Sequence, residues 1–221
     1  MNTHKRTRRA LASGLGLGAF GLMAQSAGAQ APPPAGFQPA RHSQDAWLDG
    51  LPGQHRTIID SISSAGVGEA LLFARNLYVA NASDYGLKDA DVAVVICLRH
   101  AATALAFNDA MWAKYGASLS GREKLVDPKT GQTPVVNLYN TQGYGRGVRF
   151  ADVVARGTHF AVCSMATRRL SAQVAQTAGI TAEAAFKELT SNLVPNGHMV
   201  AAGVVAVTRA QEYGYSFLNA G

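Results

Sequence analysis

Hydrophobic positions along the chain fall into short runs of consecutive apolar residues and longer stretches at helical spacing. Residues 91–98 are apolar at nearly every position, which is typical of a parallel strand covered on both faces. Residues 67–81 instead repeat their apolar side chains with the period of a helix. By the same criteria, strands are predicted at 57–60, 159–162, 199–200 and 215–218, and helices at 103–115, 164–178, 181–192 and 204–212.

Strands that alternate with helices pair in parallel through right-handed crossovers. The pattern therefore predicts an α/β fold with three α/β/α layers around a mainly parallel five-stranded sheet. Residues 116–147 interrupt the alternation, because they are polar and rich in glycine and proline. A stretch of this length is predicted as an excursion or lid, and residues 135–138 are a candidate for a short extra strand inside it.

The first 29 residues have the three parts of a secretory signal peptide. Four basic side chains and no acidic one lie in residues 1–9, residues 11–23 are small and apolar, and Ala27-Gly28-Ala29 matches a cleavage site. Residues 7–11 also resemble the twin-arginine export motif. The sequence therefore predicts a twin-arginine-type signal at 1–29 and a periplasmic location. An uncleaved anchor is the alternative, but the apolar stretch is shorter than the roughly 20 residues that a span needs.

Removing the predicted signal changes the charge of the chain. The whole sequence has 20 Lys and Arg against 14 Asp and Glu, a net charge of +6. Four of the basic residues lie in the signal, so the mature chain would carry 16 against 14, a net charge of +2. A nucleic-acid partner therefore has no electrostatic support. The hydrophobic fraction of 48% excludes a disordered protein.

The mature chain divides into an arm and one domain. Residues 30–54 contain five prolines and are predicted as an N-terminal arm, with Trp47 as its candidate contact to the rest of the protein. Residues 55–221 are predicted as the domain, including the excursion at 116–147. No stable membrane anchor is predicted after cleavage of the signal.

Cys163 is the strongest candidate for chemistry. It lies where the predicted strand at 159–162 ends and the next helix begins, and reactive groups gather at the carboxyl ends of parallel strands. A thiol at a helix N-terminus is stabilised as the nucleophilic thiolate. Arg168 and Arg169 follow on the second turn and could add positive potential. The alternative is that Cys163 is a small buried apolar residue.

Arg99 and His100 follow the strand at 91–98 and are expected at the same edge of the sheet. They could bind an anion or stabilise the thiolate, and the alternative is a helix entry with a solvated arginine. Cys97 lies inside that strand and is predicted as a core residue. A disulfide between Cys97 and Cys163 is the other possibility, and a reversible one would make a redox pair.

The sequence contains no metal or cofactor signature. His42, His55, His159 and His198 do not have the spacing of zinc ligands, and Walker and serine-hydrolase motifs are absent. We therefore predict no metal and no cofactor.

Several segments resemble one known family. Residues 160–169, Phe-Ala-Val-Cys-Ser-Met-Ala-Thr-Arg-Arg, resemble the segment around the persulfide-carrying cysteine of the DsrE/DsrF-like family. Residues 106–115, 194–198 and 203–215 resemble its exported, twin-arginine branch. The resemblance extends from about residue 56 to the C-terminus, excluding most of 116–147. It differs in one respect, since known relay members work in the cytoplasm and this chain is predicted to be exported.

The resemblance implies an α/β/α fold, homo-oligomers and sulfur transfer through a cysteine persulfide on Cys163. The partners that it implies are a sulfur donor or acceptor protein, or a small sulfur anion. Three hypotheses follow: a sulfane-sulfur carrier or sulfurtransferase-like protein, a non-catalytic periplasmic binding or assembly module on the same fold, and a thiol–disulfide redox protein.

Overall fold

A computed structural model of the chain describes residues 36, 38–141 and 145–221. The predicted signal peptide at 1–29 lies outside the described residues, as do part of the predicted arm and residues 142–144 of the excursion. Residues 39–221 form one compact unit.

The centre of this unit is a parallel sheet of five strands in the order β4-β3-β2-β1-β5. This confirms the predicted α/β class and the predicted number of strands. Every predicted strand at 57–60, 91–98, 159–162, 199–200 and 215–218 has an observed counterpart. The strands are β1 (His55–Ser61), β2 (Val92–Leu98), β3 (His159–Cys163), β4 (Gly197–Val200) and β5 (Ser216–Ala220).

Helices follow the strands as the periodicity predicted, with shifts at two places. The prediction of one helix at 103–115 was wrong: a 3₁₀ helix at His100–Ala106 is followed by an α-helix that begins at Asp109, because the Asn108 side chain accepts a hydrogen bond from Met111 N at 3.2 Å. The helix at 150–154 was not predicted. The α-helices are α1 (Trp47–Gly50), α2 (Ser64–Tyr85), α3 (Asp109–Ser120), α4 (Phe150–Val154), α5 (Ser164–Ala178), α6 (Ala182–Thr190) and α7 (Gly203–Glu212).

The excursion contains no strand at 135–138, where one was a candidate. Asn137 instead turns its side chain into the core, where the amide donates to the carbonyls of Leu105 and Phe107 at 2.8 and 2.9 Å. The segment is therefore attached to the rest of the domain through the Asn137 side chain. Its backbone continues into a 3₁₀ helix at Leu138–Asn140.

Alternate side chains of each strand contribute to two separate cores. Val94, Ile96 and Leu98 of β2 face α2, α3 and α5, whereas Val95 and Cys97 face α7 and the segment before β1. The three layers predicted from the pattern are thus present. Within the described residues, no helix is both long and apolar enough to cross a membrane.

The part of the arm next to the domain packs on the α7 face. Arg56 donates to the carbonyls of Leu48 and Leu51 at 3.0 and 3.1 Å, and the Tyr215 hydroxyl donates to the Leu48 carbonyl at 2.8 Å. Trp47 stacks on His198, with ring centroids 4.1 Å apart, which confirms it as a contact to the domain.

Candidate functional site

The Cys163 thiol lies at the junction between β3 and α5, as predicted. Cys163 is the N-cap of α5, and its Sγ accepts a hydrogen bond from Ala166 N at 3.4 Å. The Thr167 hydroxyl donates to the Cys163 carbonyl at 2.9 Å and fixes the first turn. The residue is 7% exposed and is therefore buried. The amide donor and the positive end of α5 are the groups that can stabilise a thiolate here.

Arg99 lies at the same level of the sheet as Cys163. The two residues directly follow Leu98 and Val162, which pair on neighbouring strands. The Arg99 guanidinium donates two hydrogen bonds of 2.8 Å to the Asp60 carboxylate, from Nε and from Nη2. The two side chains are 19% and 6% exposed. A carboxylate buried to this degree requires a charged partner, and the bidentate geometry supplies it.

Sequence reasoning did not identify Asp60 as a site residue. The signal was present, because Asp60 is the only charged residue of the predicted strand at 57–60 and lies next to the strand that Arg99 follows. The hydrogen bonds to Asp60 raise the pKa of Arg99 above its ordinary value, and the two nearby thiols raise it further. The guanidinium is therefore permanently charged.

Gly203 at the start of α7 lets the Arg99 side chain lie across that helix terminus. A Cβ at position 203 would lie 2.5 Å from Arg99 Cβ and 2.9 Å from its Cδ, closer than carbon atoms approach. The Gly203 carbonyl also accepts a hydrogen bond from the Cys97 thiol at 3.5 Å. Asp60, Arg99 and Gly203 therefore form one packed unit at the carboxyl edge.

Cys97 is a core residue, as predicted. It is fully buried, and burial raises the pKa of its thiol far above the usual value, with a further increase from Asp60 and an opposing effect of Arg99. Its thiol is therefore held in the neutral, unreactive form.

The two cysteines are free thiols. Cys97 lies opposite Ala161, two residues before Cys163 on the adjacent strand. The strand rise and strand spacing place their Cα atoms about 8 Å apart, beyond the ~7 Å that a disulfide spans without backbone movement. This geometry disfavours the redox pair.

The other predicted site residues are not brought onto the Cys163 sulfur. His100 is exposed, has a backbone φ of 53°, and lines a groove together with Arg169. Arg168 turns toward α6, where its guanidinium lies 4.2 Å from the centre of the Phe186 ring and 4.0 Å from the Glu183 carboxylate. Among the predicted cations, Arg99 is the one that interacts electrostatically with Cys163.

A second polar cluster lies at the amino end of the sheet. His159 Nδ1 is 2.8 Å from His198 Nε2, and Trp47 stacks on His198. Burial lowers the pKa of both imidazoles, and His159 lowers that of His198 further. The sequence signal was weak, since His159 only begins one predicted strand and His198 only precedes another. In the described part of the chain, no group of three metal-ligating side chains is present.

No family model and no curated protein matches the chain. Among solved structures it is similar to MTH1491 from Methanobacterium thermoautotrophicum, a protein of unknown function, with 12% identity and a TM-score of 0.39. The similarity covers 75% of this chain and 99% of that one. Similarity at this level supports no functional argument, so the functional conclusion depends on the site itself.

Proposed function

We propose that this protein is an exported, DsrE/DsrF-like carrier of sulfane sulfur, which it holds as a persulfide on Cys163. The observation that carries the proposal is the position of the Cys163 sulfur, which ends a parallel strand, caps α5 and accepts the Ala166 N–H at 3.4 Å. The resemblance of residues 160–169 to the persulfide-carrying segment of that family supports the same assignment.

The chemistry requires only one nucleophilic thiolate. Cys163 Sγ attacks the outer sulfur of a persulfide or polysulfide donor and forms an S–S bond to it. The S–S bond of the donor breaks, and its electron pair leaves with the shortened donor as a thiolate or polysulfide anion. Transfer to an acceptor thiolate repeats the step in reverse, so no external oxidant or reductant is needed.

The charged unit beside the thiol has a defined part in this scheme. Arg99 is held by Asp60 and by its packing on Gly203, so its positive charge is fixed near the reacting sulfur. It stabilises the thiolate and the persulfide anion through space, while Ala166 N–H stabilises them by direct contact. Assembly into a homo-oligomer and action in the periplasm, after removal of residues 1–29, belong to the same proposal.

The test uses the two thiols of the chain as matched controls. Inorganic polysulfide should add one sulfur atom to the purified wild-type protein and to Cys97→Ala, as seen by intact-protein mass spectrometry. Cys163→Ser should take up none. The proposal is wrong if the wild-type protein gains no sulfur or if Cys163→Ser gains as much as the wild type.

The burial of Cys163 favours a second candidate, a non-catalytic binding or assembly module. A residue that is 7% exposed can serve as a helix cap without reacting. The rate of alkylation by iodoacetamide separates the two functions. In Cys97→Ala the remaining thiol is Cys163, which should react fast if it is the reactive thiol of a sulfur carrier. The Cys163→Ser variant leaves only the buried Cys97 thiol and gives the reference rate. If Cys163 in Cys97→Ala is alkylated as slowly as this reference, the result would favour the module.

A further inference from the structure

A groove of about 240 Å³ lies beside α5 at the carboxyl edge of the sheet. Its walls come from the 3₁₀ helix at His100–Ala106, from the end of α3 and from α5. Its lining residues are partly apolar and partly polar, and we call the apolar ones the apolar wall and the polar ones the rim. The apolar wall contains Ile62, Ala104, Leu119, Leu125 and Leu170, and the polar residues at the rim are His100, Ser120, Glu123, Arg169 and Gln173.

Arg169 is an uncompensated cation at this rim. Among the described residues, its guanidinium has no ion pair, hydrogen bond or aromatic partner, whereas the adjacent Arg168 contacts both Phe186 and Glu183. The His100 side chain is also without a partner in the described part of the chain. His100 and Arg169 therefore line one groove with side-chain nitrogens that bind no other described group of the protein. Both side chains can donate a hydrogen bond to an anion.

The carboxylate at the rim is already engaged elsewhere. Both oxygens of Glu123 lie near Ser64 N, at 3.2 and 2.9 Å, where they cap the start of α2. The positive end of that helix offsets the charge of Glu123. Among the described side chains that line the groove, the unpaired charge is therefore that of Arg169.

The backbone at His100 supports a built groove. His100 adopts a left-handed conformation with φ of 53°, which is uncommon for a residue with a side chain. The conformation is held by Ala101 N and Ala102 N, which both donate to the Ile62 carbonyl at 3.1 and 3.3 Å. As a result, His100 and Ile62 line the same groove.

We propose that this groove binds a small organic monoanion with a short alkyl chain, such as a carboxylic acid. Arg169 would hold the carboxylate through its two-donor fork, His100 would donate a further hydrogen bond, and the alkyl chain would cover the apolar wall. One unpaired guanidinium suits a monoanion, and the apolar wall disfavours a fully hydrated inorganic ion. The inference does not depend on the chemistry of Cys163.

The direct test is calorimetric titration of the full-length protein with octanoate. We expect saturable binding to one site, and Arg169→Gln should weaken it about fivefold, the effect of one exposed charge pair. Arg168→Gln is the matched control, because it removes the same charge one residue earlier on α5 and should leave the affinity unchanged. The neutral analogue 1-octanol lacks the carboxylate. Its affinity for the wild-type protein should therefore be no higher than the affinity of octanoate for Arg169→Gln.

Three results would each overturn the inference: no saturable binding of octanoate, equal affinity for 1-octanol, or an equal loss in Arg168→Gln. Cys163→Ser should bind octanoate like the wild type. Sulfur uptake and octanoate binding are therefore separate measurements, and either proposal can fail without the other.

Discussion

The two ends of the parallel sheet both bury polar side chains but stabilise them in opposite ways. At the carboxyl end, Asp60 and Arg99 form an ion pair in which Arg99 donates two hydrogen bonds to the Asp60 carboxylate. At the amino end, His159 and His198 meet each other and Trp47, and burial lowers the pKa of both imidazoles. The first end thus pairs opposite charges, whereas partial burial without an opposite charge favours the neutral imidazoles at the second.

This difference has a chemical consequence. The carboxyl end holds the Asp60–Arg99 ion pair close to Cys163, and the helices α5 and α7 both begin there. The amino end offers aromatic stacking and one contact between neutral imidazoles. The first end therefore offers helix N-termini, which favour a negative charge, whereas the second offers aromatic and imidazole contacts.

The largest expected effect comes from breaking the pair at the carboxyl end. Asp60→Ala should lower the free energy of unfolding by about 3 kcal/mol, because it leaves Arg99 partly buried without its counter-charge. Urea unfolding followed by circular dichroism measures it. The matched control is Arg149→Ala, which removes an exposed ion pair with Asp152 and should cost less than about 1 kcal/mol. Equal losses would show that the Asp60–Arg99 pair has no special role.

A smaller effect is expected from Gly203→Ala. The new Cβ would overlap the Arg99 side chain and displace it, which should cost about 2 kcal/mol. Gly50→Ala is the control, since a Cβ at position 50 meets no atom within 4 Å. Urea unfolding of both variants tests this, and the packing argument fails if Gly203→Ala is as stable as Gly50→Ala.

The smallest expected effect concerns pH and the amino end of the sheet. The folded-state pKa values of His159 and His198 lie below the value of about 6.5 that histidine has in the unfolded chain. Below that pH the unfolded state binds more protons, so stability is complete above about 6.5 and declines as the pH falls toward the folded-state values. The double variant His159→Asn with His198→Asn should flatten this decline in urea unfolding measured from pH 7.5 to 5.

Two features separate the contribution of His159 and His198 to this pH dependence from those of other titratable groups. The pKa values of Asp152 and Glu188 are lowered by hydrogen bonds from Arg149 and Lys114, so their contributions are lost only at more acidic pH. The exposed His55 provides the control, and His55→Asn should keep the decline of the wild type. A decline that is unchanged in the double variant would contradict the assignment.

Several local features were predictable because they depend on neighbours in sequence. The apolar run at 91–98 predicted a buried strand. The helix predicted at 181–192 is present at Ala182–Thr190, where the Thr181 hydroxyl accepts a hydrogen bond from Ala184 N at 3.1 Å. The position of Cys163 at a strand–helix junction was equally local. In contrast, the 3₁₀ helix at His100–Ala106 was missed, since its apolar residues also fit an α-helical pattern.

The sequence by itself determined the order of strands and helices, the parallel sheet and the placement of Cys163 at its carboxyl edge, since these follow from periodicity and chain order. Only the tertiary structure decided which side chains meet. It paired Arg99 with Asp60 across 39 positions, directed Arg168 and Arg169 to different surroundings, and brought His159 to His198. Strand register and side-chain direction set these contacts, and neither is encoded by the spacing of residues along one segment.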